Sequence, residues 1–218
     1  MRTYVVIGLG RFGTAVATEL CRLGHEVLAI DDSEDRVQSI SSQVTHAVAG
    51  DARDPGVLRA LGVRNYNCAI VAVADDVGNS ALITMNLKEL GVRQVIAKAQ
   101  SHVHQKVLQK IGADKVVFPE HEMGMKLAQN LSSSNILNFI ELSDDFGIVE
   151  LAVPKAWVGQ SLRGLDVRAK YRVNIIAIRR GGDEHDLEVA PGADYVLAAG
   201  DVVVTLGRNE YIDRLHDL

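Results

Sequence analysis

Residues 5–31 read VVIGLGRFGTAVATELCRLGHEVLAID, and this stretch decides the fold of the first half of the chain. It runs through a short apolar strand, a glycine-rich turn, a helix with apolar residues at helical spacing, a second strand and a final acid. In such a turn the first glycine permits the tight bend, the second lets backbone amides approach a phosphate, and the third lets helix and sheet pack closely. Those residues are Gly8, Gly10 and Gly13. The pattern predicts a nucleotide-binding βαβ unit whose helix offers free N–H groups to an anion.

Two charged side chains in this stretch indicate the kind of nucleotide. Asp31 ends the second strand at the spacing where a carboxylate accepts hydrogen bonds from ribose hydroxyls and repels a 2′-phosphate. Arg11 lies inside the glycine loop, where its guanidinium can meet phosphate oxygens of this chain's ligand or of a neighbour's. A dinucleotide does not require such an arginine, so Arg11 favours a nucleoside di- or triphosphate over NAD. An adenosine ligand without a 2′-phosphate is the first expectation.

The remaining sequence indicates two domains. Strands and helices alternate as far as a helix that ends near residue 131, and this alternation predicts a Rossmann-like α/β fold with a doubly wound parallel sheet. The polar stretch 132–135 marks a break, which places a nucleotide-binding domain at 1–135 and a second domain at 136–218. The second domain, with a helix predicted over 161–171, is typical of a small α+β lobe with a mostly antiparallel sheet.

Polar side chains follow several of the predicted strands. In an open parallel sheet ligands bind at the carboxyl ends of the strands, so these residues are candidates for contact with the nucleotide. Asp51 is placed to accept from an adenine amine, and Lys98 to reach phosphates or to balance nearby acids. Asp75 is predicted to cap the helix that follows it. Glu120, after the sixth strand, opens a further helix.

Composition and single residues exclude other classes of function. With 218 residues and a formal net charge of −5, the chain has no electrostatic reason to bind nucleic acid. It lacks an apolar run long enough to cross a bilayer and a secretory signal, so we expect a soluble cytosolic protein. Cys21 and Cys68 have no metal-type spacing and are predicted to be buried apolar residues. His102 and His104 are predicted to face solvent, because two imidazoles alone do not complete a metal site.

Two classes of function account for these residues. An NAD-dependent oxidoreductase would use the glycine motif with Asp31, but hydride transfer also needs a positioned acid or base, and the second domain offers no catalytic cluster. No HExxH, G-x-S-x-G or CxxC motif nominates a nucleophile or a metal-activated water. A ligand-sensing module needs only a nucleotide site, a second lobe and an oligomer whose geometry depends on the ligand. The sequence favours the sensor over the enzyme.

Several separated motifs, in one order, resemble a known family. They read VIGLGRFG at 6–13, HEVLAID at 25–31, KAQ at 98–100, VLQKIGAD at 107–114 and PEHEMG at 119–124. Together they are similar to the cytosolic regulatory subunits of Ktr and Trk potassium-uptake systems, which are RCK (also KTN, or TrkA-N and TrkA-C) domain proteins. The later run VRAKYRVNIIAI at 167–178 is similar to the start of the C-terminal RCK lobe.

The resemblance implies a regulatory protein, not an enzyme, built as an octameric ring of dimers. Such a ring docks on the cytoplasmic face of a separate potassium-translocating membrane subunit. Ktr-type members bind ATP and ADP, with ATP favouring the active channel, whereas other Trk-type members bind NAD or NADH. Carried onto this sequence, Arg11 would reach the γ-phosphate bound in the dimer partner, and Glu120 would help to hold Mg²⁺, Na⁺ or Ca²⁺ beside a triphosphate.

The positions that match the family's nucleotide site are Gly8, Gly10, Arg11, Phe12, Gly13, Asp31, Asp32, Asp51, Ala52, Lys98 and Glu120. In some Ktr subunits the C-terminal lobe also binds cyclic di-AMP at a dimer interface. Arg168 and Asn174 occupy positions that fit this second ligand, although a helix followed by a half-buried strand explains them equally well.

Overall fold

The computed structural model describes residues 1–73, 76–132, 136–143, 145–183 and 185–217. The chain divides into two compact units, Met1–Glu122 and Met123–Leu218. The predicted domain boundary after residue 135 falls next to residues 133–135, which lie outside the described residues, and it stays a prediction.

The first unit is a parallel sheet with helices between its strands. The strands are β1 Thr3–Ile7, β2 Glu26–Asp31, β3 His46–Ala49, β4 Cys68–Val71, β5 Val95–Lys98 and β6 Lys115–Val117. The helices are α1 Arg11–Arg22, α2 Glu34–Ile40, α3 Pro55–Ala60, α4 Val77–Glu89 and α5 His102–Lys110, and α6 Pro119–Ser132 begins in this unit. The strands lie in the order β3-β2-β1-β4-β5-β6, and all their pairings are parallel. The predicted doubly wound sheet is confirmed, with its switch point between β1 and β4.

Buried apolar residues and short polar caps explain these elements. Strand β1 buries Val5, Val6 and Ile7, because helices cover both faces of a parallel sheet. The Asp54 carboxylate accepts from Gly56 N at 2.7 Å at the start of α3, and Ser101 Oγ accepts from His104 N at 3.1 Å at the start of α5. The predicted cap Asp75 lies outside the described residues, and Asp76 caps α4 by accepting from Asn79 N at 3.0 Å.

The prediction for His104 was wrong, whereas His102 is exposed as expected. His104 is fully buried, because it shares with Leu108, four residues later, the face of α5 that packs inward. Neither of its ring nitrogens has a hydrogen-bond partner among the described residues. Burial therefore lowers the pKa of His104. Cys68 is buried as predicted, whereas Cys21, which was also predicted to be buried, is only half-buried.

The second unit is built on an antiparallel sheet. Its strands are β7 Ile136–Ser143, β8 Phe146–Ala152, β9 Val173–Arg179, β10 Leu187–Val189 and β11 Val202–Arg208, in the order β10-β9-β11-β8-β7. Its short helices are α7 Leu162–Leu165, α8 Val167–Tyr171 and α9 Asn209–Ile212. The inner face of the sheet packs around the buried Trp157. The predicted α+β lobe is confirmed, but the helix expected over 161–171 is two helices, because Asp166 has a φ of +43°.

Within the described ranges, the helices are too short or too polar to cross a lipid bilayer.

Candidate functional site

A cleft of about 990 Å³ opens at the carboxyl ends of the parallel strands, at the switch point of the sheet. This is where ligands bind in open α/β sheets. Of the residues predicted for the nucleotide site, only Gly13 does not line this cleft. The predicted residues that do line it are Gly8, Gly10, Arg11, Phe12, Asp31, Asp32, Asp51, Ala52, Lys98 and Glu120. The structure thus brings together residues from the ends of β1, β2, β3 and β5 and from the starts of α1 and α6.

The three glycines of the loop have different roles. Gly8 has a φ of +94°, and a Cβ there would lie 2.8 Å from Val73 Cγ2. A Cβ on Gly13 would lie 1.8 Å from the carbonyl oxygen of Gly8, so Gly13 allows α1 to pack against the loop and does not reach the cleft. At Gly10 a Cβ would meet nothing within 4 Å. The loop therefore leaves open space beside Gly10, where a phosphate can approach the backbone.

The amino end of α1 has no side-chain cap. The helix has 12 residues, and its N-cap, Gly10, has no side chain with which to cap it. The first turn carries no acid. Its free N–H groups and the helix dipole favour a negatively charged group at this end.

Asp31 is buried and joins β2 to the glycine loop. Its Oδ2 accepts from Leu9 N at 2.5 Å, and its Oδ1 accepts from Ser33 N at 2.9 Å. Arg36 Nη1 lies 3.5 Å from the same Oδ2. An ionised carboxylate has about four acceptor sites, so Asp31 still has capacity for a hydroxyl of the ligand. The residue supports the loop whether or not a ribose binds to it.

Beyond β3, Asp51 forms an ion pair with Arg53, a lining residue that the sequence reading missed. Asp51 Oδ1 accepts from Arg53 Nε at 2.8 Å, and Oδ2 accepts from Arg53 Nη2 at 2.8 Å. The side-chain hydrogen bonds from Arg53 hold the pKa of Asp51 below its ordinary value. The same pair raises the pKa of Arg53, and the charges of Asp32 and Asp76 add to this effect. This end of the cleft is therefore rich in carboxylates, balanced by arginine.

At the other end of the cleft, Lys98 Nζ lies 2.6 Å from Glu120 Oε1 and 5.6 Å from the ring centroid of Phe12. The hydrogen bond from Lys98 is the main cause that holds the pKa of Glu120 below its ordinary value, and Arg11 adds a smaller electrostatic effect. The Lys98 side chain is only 13% exposed, whereas that of Glu120 is 64% exposed. The Lys98 ammonium is therefore fixed in position at this end of the cleft by its burial and by its hydrogen bond to Glu120.

Several predicted roles require groups that the chain itself does not supply. Among the described residues, no three histidines, cysteines or acids are grouped to hold a metal ion. A hard cation at Glu120 would therefore take its other oxygen ligands from phosphate and water.

Arg168 on α8 and Asn174 on β9 are both exposed side chains of the second unit, and their role as a cyclic di-AMP site stays a prediction.

Sequence reasoning missed part of the lining of the cleft. The additional polar residues there are Arg36, Arg53, Asn79 and Gln100. Arg53 carried a signal, since it stands two residues after Asp51 on the loop that follows a strand. Gln100 also carried a signal, since it ends the motif KAQ at 98–100, whereas Asn79 carried none, because its approach depends on how α4 packs.

Comparisons with known proteins bear on both units. The TrkA-N domain matches residues 4–119, and the TrkA-C domain matches residues 147–218. The chain is 42% identical over 216 residues to Ktr system potassium uptake protein A of Bacillus subtilis (strain 168), covering 99% of this chain and 96% of that protein. It is also 42% identical over 213 residues to Ktr system potassium uptake protein C of the same organism, covering 98% of this chain and 95% of that protein.

Among solved structures, the GsuK RCK domain matches 100% of this chain with a TM-score of 0.69 and 20% identity. This chain spans about half of that longer chain, 47% of its length. At this level of identity the likeness establishes the fold of the two units.

Proposed function

Because the chain belongs to the family of TrkA-N and TrkA-C domain proteins that includes the Ktr system potassium uptake proteins A and C, we propose that it is a nucleotide-sensing regulatory subunit of a potassium uptake system. The observation that carries this proposal is the cleft at the switch point of the first unit, with an uncapped helix N-terminus at its centre. The protein acts by binding and not by catalysis.

The ligand is ATP or ADP. The open backbone at Gly10 and the amino end of α1 hold the phosphates, with Lys98 beside them, and Asp31 accepts from the ribose. Arg11 supports a polyphosphate over a dinucleotide, because it places a cation in the phosphate loop itself. A Mg²⁺, Na⁺ or Ca²⁺ ion beside Glu120 would screen the triphosphate.

The signal is a change of geometry between subunits. Paired nucleotide-binding units form dimers, the dimers form an octameric ring, and Arg11 of one subunit reaches the γ-phosphate bound by its neighbour. ADP lacks that phosphate, so the two nucleotides stabilise different ring shapes. A ligand that bound both shapes equally would shift nothing, so the proposal requires ATP to prefer one of them.

The partner is a separate membrane protein that translocates potassium, and the ring docks on its cytoplasmic face. The names of the relatives support a role in potassium uptake. Cyclic di-AMP at Arg168 and Asn174 would be a second input, acting through the C-terminal unit.

Calorimetric titration of the purified protein with ATP, ADP, NAD⁺ and NADH, with and without Mg²⁺, tests this function. Tight binding of ATP and ADP is the expected result. Selective binding of NADH would replace it with a Trk-type regulator or an NAD-dependent oxidoreductase.

Arg11→Ala tests the signal separately from the binding. This variant should bind ADP nearly as well as the wild type and lose the conformational effect of ATP, whereas equal loss of both nucleotides would contradict the role of Arg11. Arg22→Ala is the matched control, because Arg22 is an exposed arginine on the same helix and pairs with Glu19 outside the cleft.

A further inference from the structure

This inference rests on the nucleotide site proposed above. If a nucleotide binds there, the order of the strands determines where its base lies. The phosphate loop follows β1, and the ribose acceptor Asp31 follows β2. Strand β3 is the next neighbour on the same side, in the order β3-β2-β1. A ligand that continues in this direction places its base over the loop after β3, which contains Gly50, Asp51, Ala52 and Arg53.

The Asp51 carboxylate has little capacity left for a base at this position. Its Oδ1 accepts from both the backbone N–H and Nε of Arg53, at 2.9 Å and 2.8 Å, and its Oδ2 accepts from Nη2 at 2.8 Å. These bonds occupy most of the roughly four acceptor sites of a carboxylate. One acceptor site remains on Oδ2, so an amine of adenine that bound Asp51 would have to share this oxygen with the charge-assisted, bidentate pair.

The Arg53 guanidinium, by contrast, is held in place with its plane available. The backbone carbonyl of Arg53 accepts from Nδ2 of the buried Asn86 at 2.9 Å, and this bond ties the loop to α4. The fork to Asp51 fixes the plane of the side chain, and the side chain stays 45% exposed on the lining of the cleft. A fixed planar cation stacks well on a flat aromatic ring.

We propose that Arg53 recognises the base by stacking its guanidinium on a purine ring, and that Asp51 is a positioning residue that acts through Arg53. Recognition by stacking selects for ring area, so the site prefers purine over pyrimidine nucleotides. It is indifferent to the exocyclic amine, which cytosine also carries and inosine lacks. A direct contact between Asp51 and the amine would give the opposite pattern, with ATP preferred over ITP.

The experiment measures Kd for ATP, ITP and CTP with the full-length wild-type chain, Arg53→Ala, Arg53→Lys, Asp51→Asn and the control Arg22→Ala. Removing the arginine also exposes the ligand to the charges of Asp32, Asp51 and Asp76, which weakens all three triphosphates. The ratio Kd(CTP)/Kd(ATP) cancels this common loss and reports the stacking alone.

We expect that ratio to fall about two- to fivefold in Arg53→Ala, since an exposed cation–π contact is worth about that factor. Arg53→Lys should lower the ratio by a smaller factor, because an ammonium keeps the attraction of a cation to the ring but lacks the plane that stacks on it. Asp51→Asn should lower the ratio by a smaller factor, and Arg22→Ala should leave it unchanged. Wild-type Kd values for ATP and ITP should agree within about twofold, because stacking does not read the amine.

An unchanged ratio in Arg53→Ala, alongside weaker binding of every triphosphate, would overturn the inference by showing that Arg53 acts only through its charge. A strong preference for ATP over ITP that is lost in Asp51→Asn would overturn it in favour of a direct contact with the amine. Failure of the wild-type chain to bind any of the three would refute the proposed function itself, so the two failures are distinguishable.

Discussion

Alanine at Gly10 should weaken nucleotide binding without harming the fold, whereas alanine at Gly13 should destabilise the fold. Gly10 has a φ of −71° and a ψ of −175°, a backbone conformation that alanine adopts freely, and its Cβ would meet nothing within 4 Å. The Cβ would enter the space in which a phosphate oxygen must come within about 2.9 Å of the backbone N–H groups. The same methyl group is thus harmless to the empty protein and obstructive to the ligand.

The magnitudes for the two variants follow from these contacts. Gly10→Ala should change the free energy of unfolding by less than about 1 kcal/mol, in the stabilising direction, because alanine has less freedom in the unfolded chain. Its affinity for ATP and ADP should fall by at least about tenfold, which corresponds to ~1.4 kcal/mol of lost phosphate contact. Gly13→Ala should cost about 3 kcal/mol or more, because its Cβ would lie 1.8 Å from the Gly8 carbonyl oxygen.

Thermal denaturation and calorimetric titration of both variants decide the matter. At ~2–4 °C per kcal/mol for a chain of this size, Gly13→Ala should melt at least about 6 °C below the wild type, while Gly10→Ala melts at or slightly above it. Wild-type affinity in a well-folded Gly10→Ala variant would refute the placement of the phosphates. A large loss of stability in that variant would refute the description of the loop.

Three further predictions concern other parts of the chain. Burial lowers the pKa of His104 in the folded state, so below the ordinary pKa of about 6.5 the unfolded chain binds a proton that the folded protein does not. The free energy of unfolding should therefore decrease as the pH falls below that value, by up to ~1.4 kcal/mol per pH unit. In His104→Leu the free energy of unfolding from urea denaturation should change less between about pH 7.5 and pH 5.5, and an unchanged slope would rule this out. Lys98→Ala should return the pKa of Glu120 towards its ordinary value and weaken ATP binding, as followed by carboxylate NMR and calorimetry, and an unmoved pKa would show that Lys98 is not its main cause. Asp166→Gly should stabilise the second unit by about 0.5–1 kcal/mol in thermal melts, since glycine adopts a φ of +43° without strain, and a destabilised variant would contradict that.

The fold of the first unit was predictable because its signals are local. The glycine loop, the alternation of apolar strands with helices and the polar residues at strand ends all act within a few residues, and they led to the observed parallel sheet. The same signals brought the predicted site residues to one cleft, apart from Gly13, whose contact is with the Gly8 carbonyl on the inner side of the loop.

Features that depend on packing were not predictable. His104 lies two residues after the exposed His102, and only the docking of α5 decides that one is buried and the other is not. The break at Asp166 was missed because aspartate adopts positive φ without a signal as strong as glycine. Arg53 was missed because its role depends on a side-chain pair whose geometry no motif records.

The most direct test of the central claim is small-angle X-ray scattering of the full-length chain saturated in turn with ATP and with ADP. The proposed function predicts two different scattering profiles from particles of the same mass, because the γ-phosphate changes the arrangement of the subunits. Identical profiles at saturating concentrations of both nucleotides would contradict the claim that this protein senses which nucleotide is bound.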